Sequence, residues 1–378
     1  MELKIAILGT RGVPNNYGGF EHIAGWLARG LVQKGHQLTV YNSSRHPYQR
    51  KEWQGVRITH CFDPEYLVGM AGQFIYDLNC IMDARKKNYD IILMLGYTSS
   101  SVWGFLYPKK AITITNMDGL EWKRTKYSKP VRRFLKYAEQ LAVRSSRYHI
   151  ADSPLIKKYL DNKYHIKTRY IGYGAALHPP ADERLLSEYG LKKHTYFLLM
   201  ARMEPENNIE MILDGYCLAS SKMKFIIIGN TANRFGKHLV AKYKNESRIE
   251  FLGSIFNERR VQHLTAFCSL YFHGHSVGGT NPSLLDAMAA KVPIAAHENP
   301  FNRSILKENA WFFNTVLDVC NLISLNWYEN EDHVNNNYSA IINKFSWGRI
   351  VDQYESYFLE CCQQKPGQLH LKQEKMHI

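Results

Sequence analysis

The sequence has neither a long apolar run nor a regular cysteine pattern. No segment reaches the roughly eighteen apolar residues of a membrane-spanning helix, so we expect no membrane span. The seven cysteines are scattered and form no C-x-x-C pair, which argues against a zinc site and a disulfide framework. A reducing compartment fits this cysteine use. The N-terminus lacks the apolar stretch of a secretory signal, and we expect a cytoplasmic protein.

Acidic residues are fewer than basic ones. The 378 residues include 48 Lys plus Arg and 34 Asp plus Glu, a formal net charge of +14. This excess implies an anionic partner: a phosphorylated ligand, a membrane surface or nucleic acid. Segment 123–147 alone holds nine Lys or Arg and one Glu. It predicts a basic helix suited to an anionic membrane, rather than only a solvated face, through Lys129, Arg132, Arg133 and Lys136.

Short apolar strands alternate with helical patterns along the chain. This alternation predicts the α/β class, with two Rossmann-like domains built on parallel sheets. Stretch 175–191, with a Pro-Pro pair, is typical of a linker. We therefore place one domain at 1–185, a second at 186–345 and a further helix at about 346–365. The predicted strands are 4–8, 37–41, 56–60, 91–95, 111–115, 148–151 and 168–170, then 196–201, 224–228, 249–252, 270–273 and 292–296.

A glycine-bearing loop joins strand 4–8 to a helix predicted at 21–34. Ligands bind at this edge of an open α/β sheet, where glycines let the backbone approach them. Gly18 and Gly19, next to the helix N-terminus, are candidates for binding an anion. A purely structural turn is the alternative. The spacing is not G-x-G-x-x-G, so the dinucleotide-binding fingerprint is absent.

A second polar loop follows the strand that ends at His273. Asn281 is the expected N-cap of the next helix, and the backbone N–H groups of Gly278, Gly279 and Thr280 suit a diphosphate. Asp286 lies within the first two helical turns and can accept hydrogen bonds from sugar hydroxyls, or simply complement the helix dipole. His275 is a further ligand candidate, whereas His273 is as well explained as a core residue.

Two other loops carry charged candidates. Arg202 stands where a strand meets a loop and can bind a phosphate, or instead pair with Glu204 or Glu206. Asp118 and Glu121 follow a strand in TNMDGLEWKR. A carboxylate there can orient or deprotonate an acceptor hydroxyl, and we prefer Asp118 for this role. The alternative for Asp118 is a turn before Gly119.

Four segments together resemble a known family. IAILGTRGVPNNYGGFE (5–21), DGLEWKR (118–124), R-x-E-P-E-N-N (202–208) and GHSVGGTNPSLLDAM (274–288) resemble the retaining GT-B glycosyltransferases of family 4. They are most similar to a bacterial rhamnosyltransferase-like subgroup with a DUF1972-type N-terminal domain. The resemblance implies two Rossmann-like domains facing across a cleft, with the C-terminal helix crossing back to the first.

The resemblance also implies an activity. It points to a retaining, metal-independent hexosyltransferase without a cofactor, which uses dTDP-rhamnose and a saccharide acceptor linked to undecaprenyl diphosphate. The product would serve cell-surface polysaccharide synthesis (capsule, O-antigen or exopolysaccharide) at the inner face of the membrane. No metal site is expected, in keeping with the lack of a DxD-type carboxylate pair in a suitable loop. Open alternatives are a UDP- or GDP-sugar donor, a GT-B nucleotide-sugar 2-epimerase and a basic nucleic-acid-binding protein.

The family motifs assign roles residue by residue. The diphosphate-binding Arg matches Arg202, but the accompanying Lys is replaced by Asn207; Asn207, Asn281 or Arg303 would then substitute. Of two donor-binding Glu, the second matches Asp286 and the first matches Gly278, which has no side chain. The predicted catalytic residues are Asp118, Arg202 and Asp286. The predicted donor-binding residues are Gly18, Gly19, Arg202, Asn207, His275, Gly278, Gly279, Thr280, Asn281 and Asp286. The predicted acceptor or membrane residues are Glu121, Lys129, Arg132, Arg133 and Lys136.

Overall fold

Two parallel β-sheets, each packed against helices, form the molecule. The computed structural model describes residues 1–16, 18–117, 119–124, 127–177, 181–255, 257–325, 327 and 331–364. The first sheet comprises β1 (Lys4–Leu8), β2 (Gln37–Ser43), β3 (Glu52–Trp53), β4 (Val56–Cys61), β5 (Ile91–Leu95), β6 (Ile112–Asn116), β7 (Tyr148–Ala151) and β8 (Arg169–Tyr170). Its order is β3-β4-β2-β1-β5-β6-β7-β8, and β3 pairs antiparallel with β4.

The second sheet has six strands, all parallel. They are β9 (Tyr196–Met200), β10 (Lys224–Ile228), β11 (Ile249–Gly253), β12 (Leu270–His273), β13 (Ile294–His297) and β14 (Trp311–Phe313). Their order is β11-β10-β9-β12-β13-β14, so the chain reverses its direction of winding between β9 and β12. Ligands bind at such a switch point in open α/β sheets, beyond the carboxyl ends of the strands.

Thirteen α-helices are seen in the described part of the chain. Helices of the first half are α1 (Gly19–Gln33), α2 (Glu65–Val68), α3 (Gly72–Ala84), α4 (Lys129–Ser145) and α5 (Pro154–Tyr164). Those of the second half are α6 (Ile209–Leu218), α7 (Arg234–Lys242), α8 (Glu258–Ala266), α9 (Pro282–Ala289), α10 (Pro300–Leu306), α11 (Val316–Ile323), α12 (Glu331–Ala340) and α13 (Trp347–Gln363). Short 3₁₀ turns include Ser100–Leu106, Glu121–Lys123, Glu183–Tyr189 and Pro205–Asn207.

The predicted fold class is confirmed, and every predicted strand limit lies within two residues of the observed one. The strand predicted at 292–296 begins at Ile294, because Pro293 has no N–H to donate to a ladder. Strands β3 and β14 were not predicted; they are two and three residues long and show too little pattern. Within the stretch predicted as a linker, residues 183–189 form a 3₁₀ turn, while the Pro-Pro pair at 179–180 lies outside the described residues.

The last helix, α13, returns to the first domain and packs against α1. Trp347 stacks on Trp26 with ring centroids 5.5 Å apart and planes inclined by 3°. At the other end of the contact, Glu355 pairs with Lys34 at 2.8 Å. Just before α13, the backbone at Ser346 forms a parallel bridge with Ala175, so the two chain segments that join the domains lie side by side.

Candidate functional site

The loop after β1 is held by side chains of its own domain. Asn42 of β2 bonds both backbone groups of Val13, with Val13 N–H donating at 3.0 Å and the amide donating back at 2.8 Å. The buried Glu21 of α1 accepts from the Arg11 N–H at 2.8 Å. Gly12 has φ +126°, and a Cβ there would overlap with the Asn42 side chain. The loop therefore needs glycine at this point for both conformation and space.

Gly18 and Gly19 begin the helix that follows this loop. Gly18 is the N-cap of α1 in an extended conformation, with no side-chain cap, and Gly19 is the first helical residue. A Cβ at Gly18 or at Gly19 would come no closer than 3.4 Å to any neighbour. The described residues therefore leave space beside the Cα atoms of Gly18 and Gly19 at the N-terminus of α1.

Arg202 lies two residues beyond β9 at the switch point of the second sheet. Its side chain is exposed, and its backbone carbonyl accepts a hydrogen bond of 2.7 Å from the Asn207 amide. The alternative ion pair with Glu204 or Glu206 does not form: no carboxylate of a described residue lies within 4.0 Å of the Arg202 guanidinium. The guanidinium thus remains available to an anion.

Two stacked histidines lie at the end of β12, close to Arg202. The rings of His273 and His275 lie 4.4 Å apart, centroid to centroid, at an angle of 15°. Burial lowers the pKa of His275 to about 3, and the positive charges of Arg202 and Arg124 contribute to this lowering. Burial likewise holds the pKa of His273 far below its usual value. Both rings are therefore neutral at pH 7, so His275 can bond a ligand without adding charge.

Residues 278–280 of the second domain contact the first domain. Gly278 has φ +138° and open space around it. Gly279 packs so closely on the Asp152 carboxylate, directly after β7, that a Cβ would overlap with it. Thr280 donates a hydrogen bond from its hydroxyl to the Asp152 backbone carbonyl. The conformation of this loop thus depends on contacts with the first domain as well as on its own domain.

Helix α9 follows with the predicted cap. The Asn281 side chain accepts from Ser283 N–H at 3.0 Å, and Pro282 is the first helical residue. Asp286 is half-buried, and its carboxylate accepts no hydrogen bond from a described residue. Burial, with a smaller contribution from the charge of Glu258, raises the pKa of Asp286 to about 7. The carboxylate is poised to accept a hydrogen bond from a ligand once it is ionised.

The three suggested substitutes for the missing Lys are each engaged elsewhere. Asn207 is buried and donates its side-chain N–H to the Arg202 backbone carbonyl, and Asn281 caps α9. Arg303 forms ion pairs of 2.6 Å with both Glu298 and Glu308. Arg303 is therefore neutralised by its own surroundings.

Two different family models match the two halves of the chain. Residues 2–176 match the model for a domain of unknown function, DUF1972. Residues 183–323 match the model described as glycosyl transferases group 1, which covers Arg202, His275 and Asp286. No curated protein matches the sequence.

Solved structures of low sequence identity share the fold. Sucrose-phosphate synthase (tll1590) from Thermosynechococcus elongatus is 15% identical, with 94% of this chain and 98% of that chain covered and a TM-score of 0.80. Anabaena Alr3699/HepE in complex with UDP and glucose is 15% identical, with 95% and 100% covered and a TM-score of 0.74. The OtsA apo structure is 11% identical, with 96% and 99% covered and a TM-score of 0.72.

The chain has the GT-B glycosyltransferase fold. Its second half matches the model described as glycosyl transferases group 1, and this match indicates a glycosyltransferase. Its first half carries DUF1972 on the other Rossmann-like domain of the GT-B pair.

A charged cluster in the GT-B cleft was not predicted from the sequence. Arg124, at the end of the 3₁₀ turn Glu121–Lys123, pairs with Glu121 at 2.7 Å. Across the domain boundary its guanidinium is 3.7 Å from Glu206, which is buried. Arg124 and Glu206 lie inside the family-like segments 118–124 and 202–208, and this is the sequence signal that points to them. Asp118, the preferred acceptor-side carboxylate, lies outside the described residues.

Helix α4 presents the predicted basic surface in part. Lys129, Arg133 and Lys136 are exposed, whereas Arg132 is half-buried and donates to the Trp122 carbonyl at 2.8 Å. The only acidic residue of the segment, Glu139, is completely buried. It accepts hydrogen bonds from Trp122, Tyr159, Tyr164 and Lys163. The exposed side of α4 is therefore more uniformly cationic than the sequence alone indicated.

Proposed function

We propose that this protein is a retaining, metal-independent glycosyltransferase that transfers rhamnose from dTDP-rhamnose to a saccharide acceptor. The observation that carries the transferase assignment is the juxtaposition at the β9–β12 switch point. Arg202, neutral His275 and the N-terminus of α9 converge there, within the part of the chain that matches the group 1 glycosyltransferases. A cation, a neutral donor and a helix N-terminus are the groups that a leaving diphosphate needs.

The choice of donor has two kinds of support. The structural neighbour HepE was solved with UDP and with UDP-glucose, which supports a nucleotide sugar as the donor class. The rhamnose and dTDP assignments rest on the sequence resemblance. A 6-deoxy sugar offers fewer hydroxyls, which agrees with Gly278 in place of the family's sugar-binding Glu. Asp286 would then bond a hydroxyl of the nucleotide's own sugar.

In the proposed reaction, the bond between the sugar C1 and the diphosphate oxygen breaks while the acceptor hydroxyl attacks. Arg202 and the backbone N–H groups near residues 278–280 stabilise the negative charge that develops on the diphosphate. The acceptor proton passes to a leaving-phosphate oxygen. Asp118 positions the acceptor hydroxyl from the first domain. Closure of the two domains excludes water and suppresses hydrolysis of the donor.

A panel of nucleotides tests the donor assignment. The melting temperature is measured with dTDP, UDP, GDP and their sugar conjugates. We expect dTDP and dTDP-rhamnose to give the largest shift, because at equal concentration the ligand with the lowest Kd stabilises the folded protein most. A ligand at a hundred times its Kd stabilises by about 2.7 kcal/mol. A preference for UDP would overturn the dTDP donor and leave the transferase class. Conversion of a nucleotide sugar without any acceptor would instead indicate a 2-epimerase, and proton NMR of the transferred sugar distinguishes retention from inversion.

We further propose that the first domain docks on the inner face of the cell membrane, where an undecaprenyl-diphosphate-linked acceptor would lie. No described helix is long and apolar enough to span a bilayer. The exposed cations of α4 adjoin apolar surface, because Phe134 of α4 contacts Phe74 of α3 with ring centroids 5.8 Å apart. Large apolar side chains are more than half exposed at Tyr66, Leu67, Val68, Met70 and Phe105. Such a combination suits an anionic lipid surface.

Vesicle sedimentation tests this docking. We expect binding to vesicles with phosphatidylglycerol and little binding to neutral ones. Replacing Lys129, Arg133 and Lys136 together by Gln should weaken binding roughly a hundredfold, at about 1 kcal/mol per cation. The control removes the same charge from the second domain at the exposed Lys192, Lys193 and Lys222. Equal losses for the two triple variants would mean that net charge, not this surface, drives binding.

A further inference from the structure

The segment that follows β12, residues 274–276, is hydrogen-bonded on two sides. On the first side it meets the loop after β9. The Asn208 amide donates to the Gly274 carbonyl at 2.7 Å. The Ser276 N–H and hydroxyl donate to the Glu206 carbonyl at 3.0 and 2.8 Å. The backbone of this segment is therefore held to a loop of its own domain at both of its ends.

Two asparagine amides bind the same segment on its second side, at the backbone carbonyl of His275. The Nδ2 groups of Asn299 and Asn302 each donate to this carbonyl at 3.0 Å. The same two groups donate to the His297 carbonyl at the end of β13, at 3.0 and 2.8 Å. Because a carbonyl oxygen has two lone pairs, the two amides satisfy both carbonyls. The backbone of His275 is thereby joined to the end of the neighbouring strand.

The two asparagines differ in their further roles. Asn299 is the N-cap of α10, and its Oδ1 accepts from the N–H groups of Phe301 and Asn302 at 3.0 Å each. Asn302 lies inside the helix and is buried, and its amide donates to the two carbonyls. A substitution of Asn299 would therefore also disturb the start of α10, whereas a substitution of Asn302 removes the link to His275 and leaves the cap.

The imidazole of His275 has one enclosed and one open nitrogen. Its Nδ1 is buried and has no hydrogen-bond partner. Its Nε2 bonds no described residue and, unlike the Nε2 of His273, is not enclosed. Buried N–H groups without an acceptor are rarer in proteins than buried acceptors without a donor. The proton of the neutral ring therefore belongs on Nε2, where the N–H can donate to a ligand.

We propose that Asn302 is a positioning residue of the donor site, which holds His275 where its Nε2–H donates to the diphosphate of the nucleotide sugar. This proposal rests on the nucleotide-sugar function proposed above. The stack on His273 restricts the tilt of the ring, and the bonds to the carbonyl fix the point from which the ring extends. A hydrogen bond to a phosphate depends on both distance and direction, so a shift of this backbone weakens it although Asn302 itself touches no ligand.

A double-mutant cycle followed by calorimetric titration tests the proposal. Wild type, Asn302→Ala, His275→Ala and the double variant are titrated with dTDP, or with UDP if wild type prefers uridine. We expect each single variant to weaken diphosphate binding about tenfold. Because Asn302 acts through the imidazole, the double variant should bind no more than about twofold more weakly than His275→Ala alone. A role of Asn302 in stability alone would not depend on the ring in this way.

The matched control is Asn337→Ala. Asn337 is buried to the same degree as Asn302, and its amide likewise donates to a backbone carbonyl, that of Asn309, at 2.7 Å. This variant should lose stability as Asn302→Ala does but should bind dTDP like wild type. An exposed-site control is Arg184→Ala, whose side chain is 91% exposed and pairs with Asp182. It should change neither stability nor affinity.

The outcomes separate this proposal from the one on which it rests. Diphosphate affinity of Asn302→Ala equal to that of wild type, or an equal loss in Asn337→Ala, overturns the role of Asn302 and leaves the nucleotide-sugar function intact. A full loss on adding Asn302→Ala to His275→Ala does the same. Failure of wild type to bind any nucleoside diphosphate removes the proposed function itself. Should Asn302→Ala not fold, Asn302→Ser takes its place. Its hydroxyl can donate to one of the two carbonyls, so diphosphate binding should weaken about threefold, and unchanged affinity overturns the proposal.

Discussion

The glycine-rich loops after β1 and after β12 face the same cleft but are stabilised in different ways. Asn42 and Glu21, both from the first domain, bond the backbone of the first loop. The second loop instead meets the opposite domain, where Gly279 and Thr280 contact Asp152. The first loop is therefore fixed when its domain folds, whereas the geometry of the second depends on how the two domains sit together.

The largest expected effect concerns the cation beside the second loop. Arg202→Ala should lower the transfer rate by about 10²- to 10³-fold, because charge on the leaving diphosphate loses a preorganised partner. Initial rates at saturating donor measure it, with Arg184→Ala as the control. A rate close to that of wild type would show that the second loop does not bind the diphosphate through Arg202.

A glycine substitution tests the rigidity of the first loop. Gly12→Ala should lower the free energy of unfolding by about 2–4 kcal/mol, from its positive φ together with overlap on Asn42. Gly35→Ala is the matched control: its φ is +88°, but nothing lies within 4 Å of the added Cβ. It should cost about 1 kcal/mol. Urea unfolding measures both variants. Equal losses of unfolding free energy would mean that the Asn42 side chain moves aside at little cost.

The corresponding glycine in the second loop should behave differently. The three atoms nearest to a Cβ added at Gly279 all belong to the Asp152 carboxylate of the other domain, so Gly279→Ala should leave the urea midpoint nearly unchanged. Donor affinity should fall about tenfold, because the domains can no longer approach as closely. In a double-mutant cycle, Asp152→Ala should relieve part of this loss. Strictly additive effects would argue that Gly279 acts within its own domain.

The smallest effect is a pH dependence through Asp286. Its pKa is raised to about 7, so the carboxylate is protonated below that pH and ionised above it. The ionised form accepts stronger, charge-assisted hydrogen bonds from hydroxyls than the protonated form does, so affinity for a nucleotide sugar should rise about fivefold from pH 6 to pH 8. A nucleotide sugar is suitable because its diphosphate does not titrate in this range. Asp286→Asn should have a flat profile; a rise that survives in this variant must come from another group.

Sequence reasoning succeeded where local rules determine the structure. Asn281 followed by Pro282 predicts a capped helix start, and the chain forms it. Buried parallel strands such as β5, in which every residue is buried, are predicted from apolar runs alone. These features depend on residues that are neighbours in the chain.

The features that sequence reasoning missed join residues that are distant in the chain. Arg124 and Glu206 are 82 positions apart in the numbering, and Asp152 and Thr280 are 128 apart. Their proximity depends on the relative placement of two domains, which no local pattern encodes. The burial of Glu139 was missed for a similar reason, because Tyr159, Tyr164 and Lys163 reach it from α5. Asp118 remains a prediction.

The return of α13 to the first domain has a mechanical consequence. The chain crosses between the domains twice, near residues 175 and 346, and the two crossings are joined by the backbone bridge between Ala175 and Ser346. Two joined tethers permit rotation about an axis through that point but resist separation and twisting of the domains. Opening and closing of the domains would then repeat along one path, so that facing residues of the two domains meet in the same arrangement each time. Deleting α13 would leave one of the two tethers and would expose Trp26 and α1 to solvent. The loss of stability would therefore appear first in the first domain, although α13 is far from it in the sequence.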